Sequence, residues 1–220
     1  AYGYTLEKVA YKPLRGAPRL SPLISAIGMS IFLQNYVLLA QTSDYVPFPR
    51  LLPEMEFLDY LGNIMGPSDF LILVTSTLAM VSLSLFIRYT RMGKAMRATA
   101  QNRKMALLLG INADRIISLT FIVGSALAAL GGVLIASHMG QVNFGIGFLA
   151  GLKAFTAAVL GGIGSIPGAM VGGLVLGIAE SMTTGYLSGN YEDALAFALL
   201  ILILIFRPDG ILGKAKVQKV

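Results

Sequence analysis

The sequence predicts an all-α fold, a polytopic bundle of transmembrane helices with one helix pair broken by glycine. Three observations carry that expectation. The 220 residues are 55% hydrophobic and only 13% charged, with mean hydropathy +0.73, whereas soluble domains are about one quarter charged. Apolar runs recur at the length a spanning helix needs, about 20 residues. One stretch, AVLGGIGSIPGAMVGG at Ala158–Gly173, holds six glycines and a proline yet is flanked by long hydrophobic runs.

The chain opens with AYGYTLEKVAYKPLRGAPR, polar, aromatic and basic, read as an entry segment over residues 1–19. Its first residue is not Met, which fits a fragment or processed product with spans ahead of Ala1. The membrane domain follows over 20–206. Its clear spans are Leu20–Thr42, Asp69–Ile87 and Ile116–Ser137, and a shorter, intensely apolar one is Asp193–Phe206, extendable back towards Tyr191.

Lys and Arg collect on the cytoplasmic side of membrane proteins, and here they alternate. Residues 1–19 carry Lys8, Lys12, Arg15 and Arg19, whereas 43–68 has Arg50 against Asp44, Glu54, Glu56 and Asp59. Residues 88–115 carry seven cations and one acid, Asp114. Residues 138–150 and 185–192 have no Lys or Arg, and the 207–220 tail returns to Arg207, Lys214, Lys216 and Lys219. The order is in, out, in, out, out, in. The net charge of +6 therefore reports topology and not a nucleic-acid surface.

Both ends of Gly151–Thr184 then lie outside, so this segment enters and returns. Leu152–Leu160 is expected as a half-helix and Gly168–Thr184 as a longer returning one, with the GGIGSIPG turn at or below mid-membrane. Irregular backbone at that depth must be buried in protein or line a watery cavity, and broken helices build transporter sites. A fully crossing, glycine-rich hairpin of structural value is the alternative.

Small residues four apart mark close helix packing in lipid. Gly124, Ala128, Gly132 and Ala136 form one stripe; Gly164, Gly168 and Gly172 a second; Ala169, Gly173, Gly177 and Ser181 a third. Among intramembrane polar groups, Lys153 and Glu180 are placed near the outer ends of their arms, where pairing or interfacial anchoring outweighs a substrate role. Gln34 and Asn35 sit in the outer half of the first span, bonding to a neighbouring helix or a solute. His138 stands at the outer boundary. Cys is absent and His138 is the sole histidine, so a thiolate or multi-histidine metal site is not expected. No Ser–His–Asp constellation, paired carboxylates within a span or G-x-x-x-x-G-K-[ST] loop is present. Catalysis is not expected, and active transport would need a partner or an ion gradient.

The distinctive polar segment is RYTRMGKAMRATAQNRKMALLLGINADR, Arg88–Arg115. Met96–Leu109 has helical character, with Gly110 and Asn112 as a helix stop. Such a helix lies on the membrane surface or enters a groove on a partner.

RMGKAMRATAQN and MALLLGIN, then AFTAAVLGGIGSIPGAMVGGLVLGIAE, resemble the permease subunit of bacterial branched-chain amino-acid ABC importers, the LivH type. LISAIGMSIFLQN at Leu23–Asn35 and RPDGILG at Arg207–Gly213 fit the same pattern. The resemblance runs from about Tyr11 to the end. It implies a translocation path formed with a second, LivM-like permease in the bacterial inner membrane. Two cytoplasmic ATPase subunits, holding ATP and Mg, and a periplasmic binding protein delivering Leu, Ile or Val complete the implied assembly. No cofactor is implied in this chain, and ATP hydrolysis belongs to the partners. Met92–Asn112 would be the coupling element, with Gly93, Arg97, Arg103, Lys104, Ala106, Gly110 and Asn112, its cations meeting acidic ATPase residues. Its match to the glutamate-alanine-alanine loop of other importers is loose, since Met105 stands where an acid is expected. The path or gating turn would comprise Gln34, Asn35, Phe155, Thr156, Gly161, Gly162, Gly164 and Ser165. Family members carry further spans before the basic opening segment. A secondary transporter or channel for urea or an amide is the competing reading, and a membrane scaffold without transport is a third.

Overall fold

The computed structural model describes residues 2–14, 21–41, 43–49, 67–162, 164–207 and 209–213. The chain divides into two compact units, Ala1–Ile146 and Gly147–Val220. The helical content expected from composition is met.

In the first unit, α1 (Tyr2–Leu6) continues into a π-helical turn, Glu7–Tyr11, and α2 covers Ser21–Ala40. The long apolar helices α3 (Pro67–Tyr89) and α6 (Ala113–Met139) flank two short ones, α4 (Arg91–Gln101) and α5 (Arg103–Leu108). Two-residue strands β1 (Val46–Pro47) and β2 (Gln141–Val142) pair antiparallel, Val46 opposite Val142 and Pro47 opposite Gln141. The Phe48 amide extends this ribbon by donating to the Gly140 carbonyl at 2.9 Å. Gly140 takes a left-handed φ of 67° and ends α6, the conformation glycine adopts without a Cβ penalty. Nearby, His138 Nδ1 lies 3.2 Å from Asp69 Oδ1, linking α6 to α3.

The second unit comprises α7 (Ile146–Gly161, all but its first residue), α8 (Ile166–Tyr186), a 3₁₀ turn Gly189–Tyr191 and α9 (Glu192–Phe206). Its buried cluster is Ala157, Leu176 and Ala196, one residue from each helix, with Leu199 against it. Two of the three, Ala157 and Ala196, are small, which lets helices approach closely.

Asp69–Tyr89, Ala113–Met139, Ile166–Tyr186 and Gly189–Phe206 are long and apolar enough to cross a membrane. These include three of the four spans expected from sequence; the first, Leu20–Thr42, is represented by α2, and Leu20 and Thr42 lie outside the described residues. Large apolar side chains remain open along these helices: Ile24 and Leu39 on α2, Leu78 on α3, Ile178 on α8, Ile205 on α9. Lipid or neighbouring helices are the natural environment for such faces, since the bilayer core is as apolar as they are.

Three sequence expectations are corrected. Met96–Leu109 is not one helix: Asn102, at φ −154° and ψ 106°, separates α4 from α5, and its side chain accepts from the Met105 amide. Asparagine competes with helical backbone bonding in this way, which makes it a better cap than interior residue. Asn112 does not stop a helix but starts one, capping α6 by accepting from the Arg115 amide at 3.1 Å. The first arm is not the half-helix Leu152–Leu160 but the 16-residue α7, about 24 Å long at ~1.5 Å per residue. The turn ahead of it is closed upstream, where the Gly145 amide donates to Asn143 Oδ1 at 3.1 Å.

Of the stripe on α6, Gly124 and Gly132 face open space among the described residues, whereas Ala136 is buried. Gly168 and Gly172 of the second stripe do form a tight interface, between α7 and α8.

Candidate path and coupling elements

The α7–α8 turn is built from backbone contact. A Cβ on Gly161 would collide with the Gly168 carbonyl, one on Gly168 with the Gly161 carbonyl, and one on Gly172 with the Ala157 carbonyl. The helices thus meet where only glycine permits it. Ser165 caps α8 by accepting from the Gly168 amide at 3.1 Å, and Pro167 occupies the first turn, where its missing N–H costs nothing. Gly162 and Gly164 take φ of 110° and 93°, values that a residue with a Cβ rarely adopts.

A further element closes this turn, one that sequence reasoning placed only in the tail. The chain beyond α9 folds back so that the Ile211 amide donates to the Leu160 carbonyl at 2.9 Å and the Leu212 amide to the Gly161 carbonyl at 3.0 Å. Carbonyls at a helix C-terminus lack intrahelical partners, and the RPDGILG segment supplies them. A Cβ on Gly162 would strike the backbone of Gly213 and Asp209, and one on Gly210 the backbone of Gly162. The turn therefore stands level with the chain just past the end of α9.

At the opposite end of the unit, Lys153 gathers three carboxylates. Its ammonium donates to Glu192 in a close ion-paired hydrogen bond, stands 3.4 Å from Asp193, and lies 3.3 Å from Glu180 Oε1 without hydrogen-bond geometry. The expected pairing of Lys153 with Glu180 is present, and α9 adds two acids that sequence reasoning had not joined to it. One lysine from α7 thus clamps α8 and the N-terminus of α9.

The expected path residues are distributed unevenly. Gly161 and Gly162 are buried and Ser165 half-buried in the turn, while Gly164 is exposed. Thr156 is 1% exposed, and its hydroxyl donates to the Leu152 carbonyl at 3.0 Å, so its polar atom is satisfied inside α7. Phe155, one residue earlier, points outward, 52% exposed. Gln34 and Asn35 belong to the first unit; Asn35 Nδ2 donates to the Ile31 carbonyl of its own helix at 2.8 Å, and Gln34 is half-buried.

The α4–α5 element is held by caps at each joint. Thr90 accepts from the Gly93 amide at 3.0 Å and donates to the Phe86 carbonyl at 2.6 Å, turning the chain sharply out of α3. Gly93 is buried there, since a Cβ would collide with the Ile87 backbone. Met96 and Ala106 are the buried anchors. Gly110, at φ 78°, closes α5: the Ile111 amide donates to Ala106 and the Gly110 amide to Leu107, both at 3.0 Å, the paired bonds of a Schellman stop.

The exposed tip of this element is apolar. Met105 is 55% exposed, Leu107 54%, Leu108 81% and Leu109 75%. Of the cations expected to meet a partner, Arg103 is engaged within the chain, Nη2 to Asp114 at 2.9 Å, and Arg97 donates to the Arg88 carbonyl at 3.4 Å. Lys104 has no ion pair among the described residues and stands exposed.

Glu7 was not singled out from sequence because it lies in a polar opening segment. It is 1% exposed and accepts from the Ser118 hydroxyl of α6 at 2.7 Å, a contact across 111 positions that no local pattern signals. Among the described residues, no group of three or more His, Cys, Asp or Glu side chains is arranged to hold a metal.

Comparison with known proteins bears on these elements together. The family model described as "Branched-chain amino acid transport system / permease component" matches residues 11–204. The "High-affinity branched-chain amino acid transport system permease protein LivH" of Escherichia coli K12 is 55% identical, the alignment covering 100% of this chain and 72% of that protein. The BraD permease of Pseudomonas aeruginosa, named as part of a high-affinity system of the same kind, is also 55% identical, over 100% of this chain and 73% of its own length. The "Probable ABC transporter permease protein YphD" of E. coli K12 is 33% identical over 68% of this chain and 43% of its own. No solved structure matches. The chain, a multi-pass membrane protein and a transport subunit rather than an enzyme, belongs to the permease component family of branched-chain amino acid transport systems.

Proposed function

We propose that this chain forms part of the path for branched-chain amino acids across a bacterial inner membrane, as one permease of an ATP-driven importer. The observation that carries the reading is the match along the whole chain at 55% identity to the LivH and BraD permeases, spanning the spans, the α4–α5 element, the glycine turn and the RPDGILG tail together. The name of YphD supports the ABC class. Urea and amide carriers have no support in these names.

Within that reading, ATP and Mg are held by two ATPase subunits, a periplasmic protein delivers the amino acid, and a LivM-like permease completes the path. The α4–α5 element couples to an ATPase, and the geometry favours an apolar insertion. Arg103 is already paired, whereas Met105, Leu107, Leu108 and Leu109 present a knob suited to a hydrophobic groove. The glycine turn and the segment over it form the moving part of the path. Their close backbone packing suits them to shift between discrete arrangements, as packed elements do.

The test is uptake. Labelled leucine entry is measured in cells lacking their own branched-chain permeases, with this chain and its partners supplied, with and without the Walker-lysine variant of the ATPase. Uptake that requires both permease and active ATPase supports the assignment. Uptake persisting with the inactive ATPase, and abolished by an ionophore, moves the chain to the gradient-driven class.

A further inference from the structure

A cavity of about 380 Å³ lies between the α1 segment and the N-terminal part of α6, where Lys8 and Lys12 face Arg115, Ser118, Leu119 and Ile122. The two segments run in opposite directions, Gly3 against Ser125 and Glu7 against Ser118, and Tyr11 packs on Phe121 with ring centres 4.8 Å apart. Burial of Tyr11 raises its phenol above the usual range, so it remains neutral beside the site.

The charges of this cavity are unequal in their engagement. Both carboxylates are occupied: Glu7 is buried and bonded by Ser118, and Asp114 is paired with Arg103. The three cations, Lys8, Lys12 and Arg115, are exposed and have no ion pair among the described residues. Lys8 stands 5.8 Å from the centre of the Tyr4 ring, a contact that leaves its ammonium free to meet an anion. They converge at the end of α6 that the charge bias assigns to the cytoplasm. From there the wall turns apolar along a spanning helix, through Leu119 to Ile122, which is 44% exposed.

We propose that this cavity holds an anionic phospholipid, its phosphate at Lys8, Lys12 and Arg115 and the upper part of one acyl chain along Leu119 and Ile122. Positive charge at the cytoplasmic boundary attracts the anionic leaflet in general. What is specific here is the convergence of three cations from two elements, none with an ion pair among the described residues, on one cavity continuous with an apolar wall at membrane level. A free phosphate would match the cations and make no use of that wall. A peptide carboxylate would match the charge and leave Leu119 and Ile122 facing lipid.

The test uses the permease purified with its partner subunits and titrated in detergent with phosphatidylglycerol, each bound lipid counted by native mass spectrometry. Changing Lys8, Lys12 and Arg115 to Gln should weaken the tightest phosphatidylglycerol site by about fivefold per cation removed, with phosphatidylcholine binding unchanged. Changing Arg88, Arg91 and Lys94 to Gln, an equal charge loss elsewhere on the same side, should leave that site intact. Inorganic phosphate and glycerol phosphate should not displace the lipid. Equal loss in both triple variants, no loss in the first, or displacement by phosphate would each overturn the proposal. Should the first variant fail to assemble, the wild-type complex is labelled with a phosphatidylglycerol carrying a photoreactive group at its upper acyl chain. Crosslinks at Leu119 or Ile122 support the site. Crosslinks confined to other spans or to a partner subunit refute it.

Discussion

The backbone of Gly210 lies directly against that of Gly162, so that a Cβ on Gly210 would overlap the Gly162 amide and Cα. Both have left-handed φ, 78° and 110°. The contact joins two segments 48 positions apart (210 − 162), the glycine turn and the RPDGILG segment.

Gly162→Ala and Gly210→Ala should therefore each abolish leucine uptake while leaving membrane insertion intact. Each change adds steric overlap to a backbone strain of about 1–3 kcal/mol. Because they disturb the same contact, the double variant should lose less than the two single losses combined. Fully additive losses in thermal unfolding would show that the two glycines act separately.

Lys153 is the hub of a four-membered cluster, so its removal should cost more than removal of any one acid. Lys153→Met leaves Glu180, Glu192 and Asp193 facing one another, and should lower stability in detergent by about 1–3 kcal/mol, below the range for fully buried pairs. Glu192→Gln leaves Lys153 with two carboxylates and should cost about 1 kcal/mol or less. Thermal unfolding followed by tryptophan-free fluorescence labels or light scattering ranks them; the reverse order would deny Lys153 its central place.

The apolar tip of α5 should matter more to ATPase association than its cations. Leu108→Asp and Leu109→Asp are each expected to weaken association by about tenfold or more, in the manner of buried interface anchors. Lys104→Ala should change it by less than about fivefold, since exposed ion pairs contribute little. Co-purification titrations measure both. Strong loss from Lys104→Ala with neutral Leu108→Asp would return the contact to electrostatics.

Cysteine labelling maps the crossings against a clean background, the chain having no native cysteine. Asn143→Cys and Asn190→Cys should react with an impermeant maleimide from outside, and Gln101→Cys only after permeabilisation. Reaction of Asn190→Cys from the cytoplasmic side alone would overturn the even number of crossings between them.

Cysteine at Gly164, exposed in the turn, tests its depth. Since the turn stands level with the chain beyond α9, reaction from the cytoplasmic side is expected; protection from both sides would put the turn inside the membrane, as a re-entrant pair.

Composition and apolar run length determined the membrane class and the helices α3, α6 and α9, because hydrocarbon admits only backbone whose polar groups are satisfied within the segment. Gly110 and the glycine cluster were legible too, since left-handed or closely approached backbone leaves glycine as the default. Asn102 misled because its helix-breaking side-chain bond competes with a strongly helical surround. Tertiary structure alone decided the rest. The spacing of small residues marked Gly124 and Gly168 alike, yet of the two only Gly168 meets a neighbouring backbone among the described residues. Glu7 with Ser118, Lys153 with Asp193, and Leu160 with Ile211 each join positions that no local period relates. Such pairings depend on which helices pack side by side, and in lipid, where every helix exterior is apolar, hydrophobic pattern carries little information about that choice.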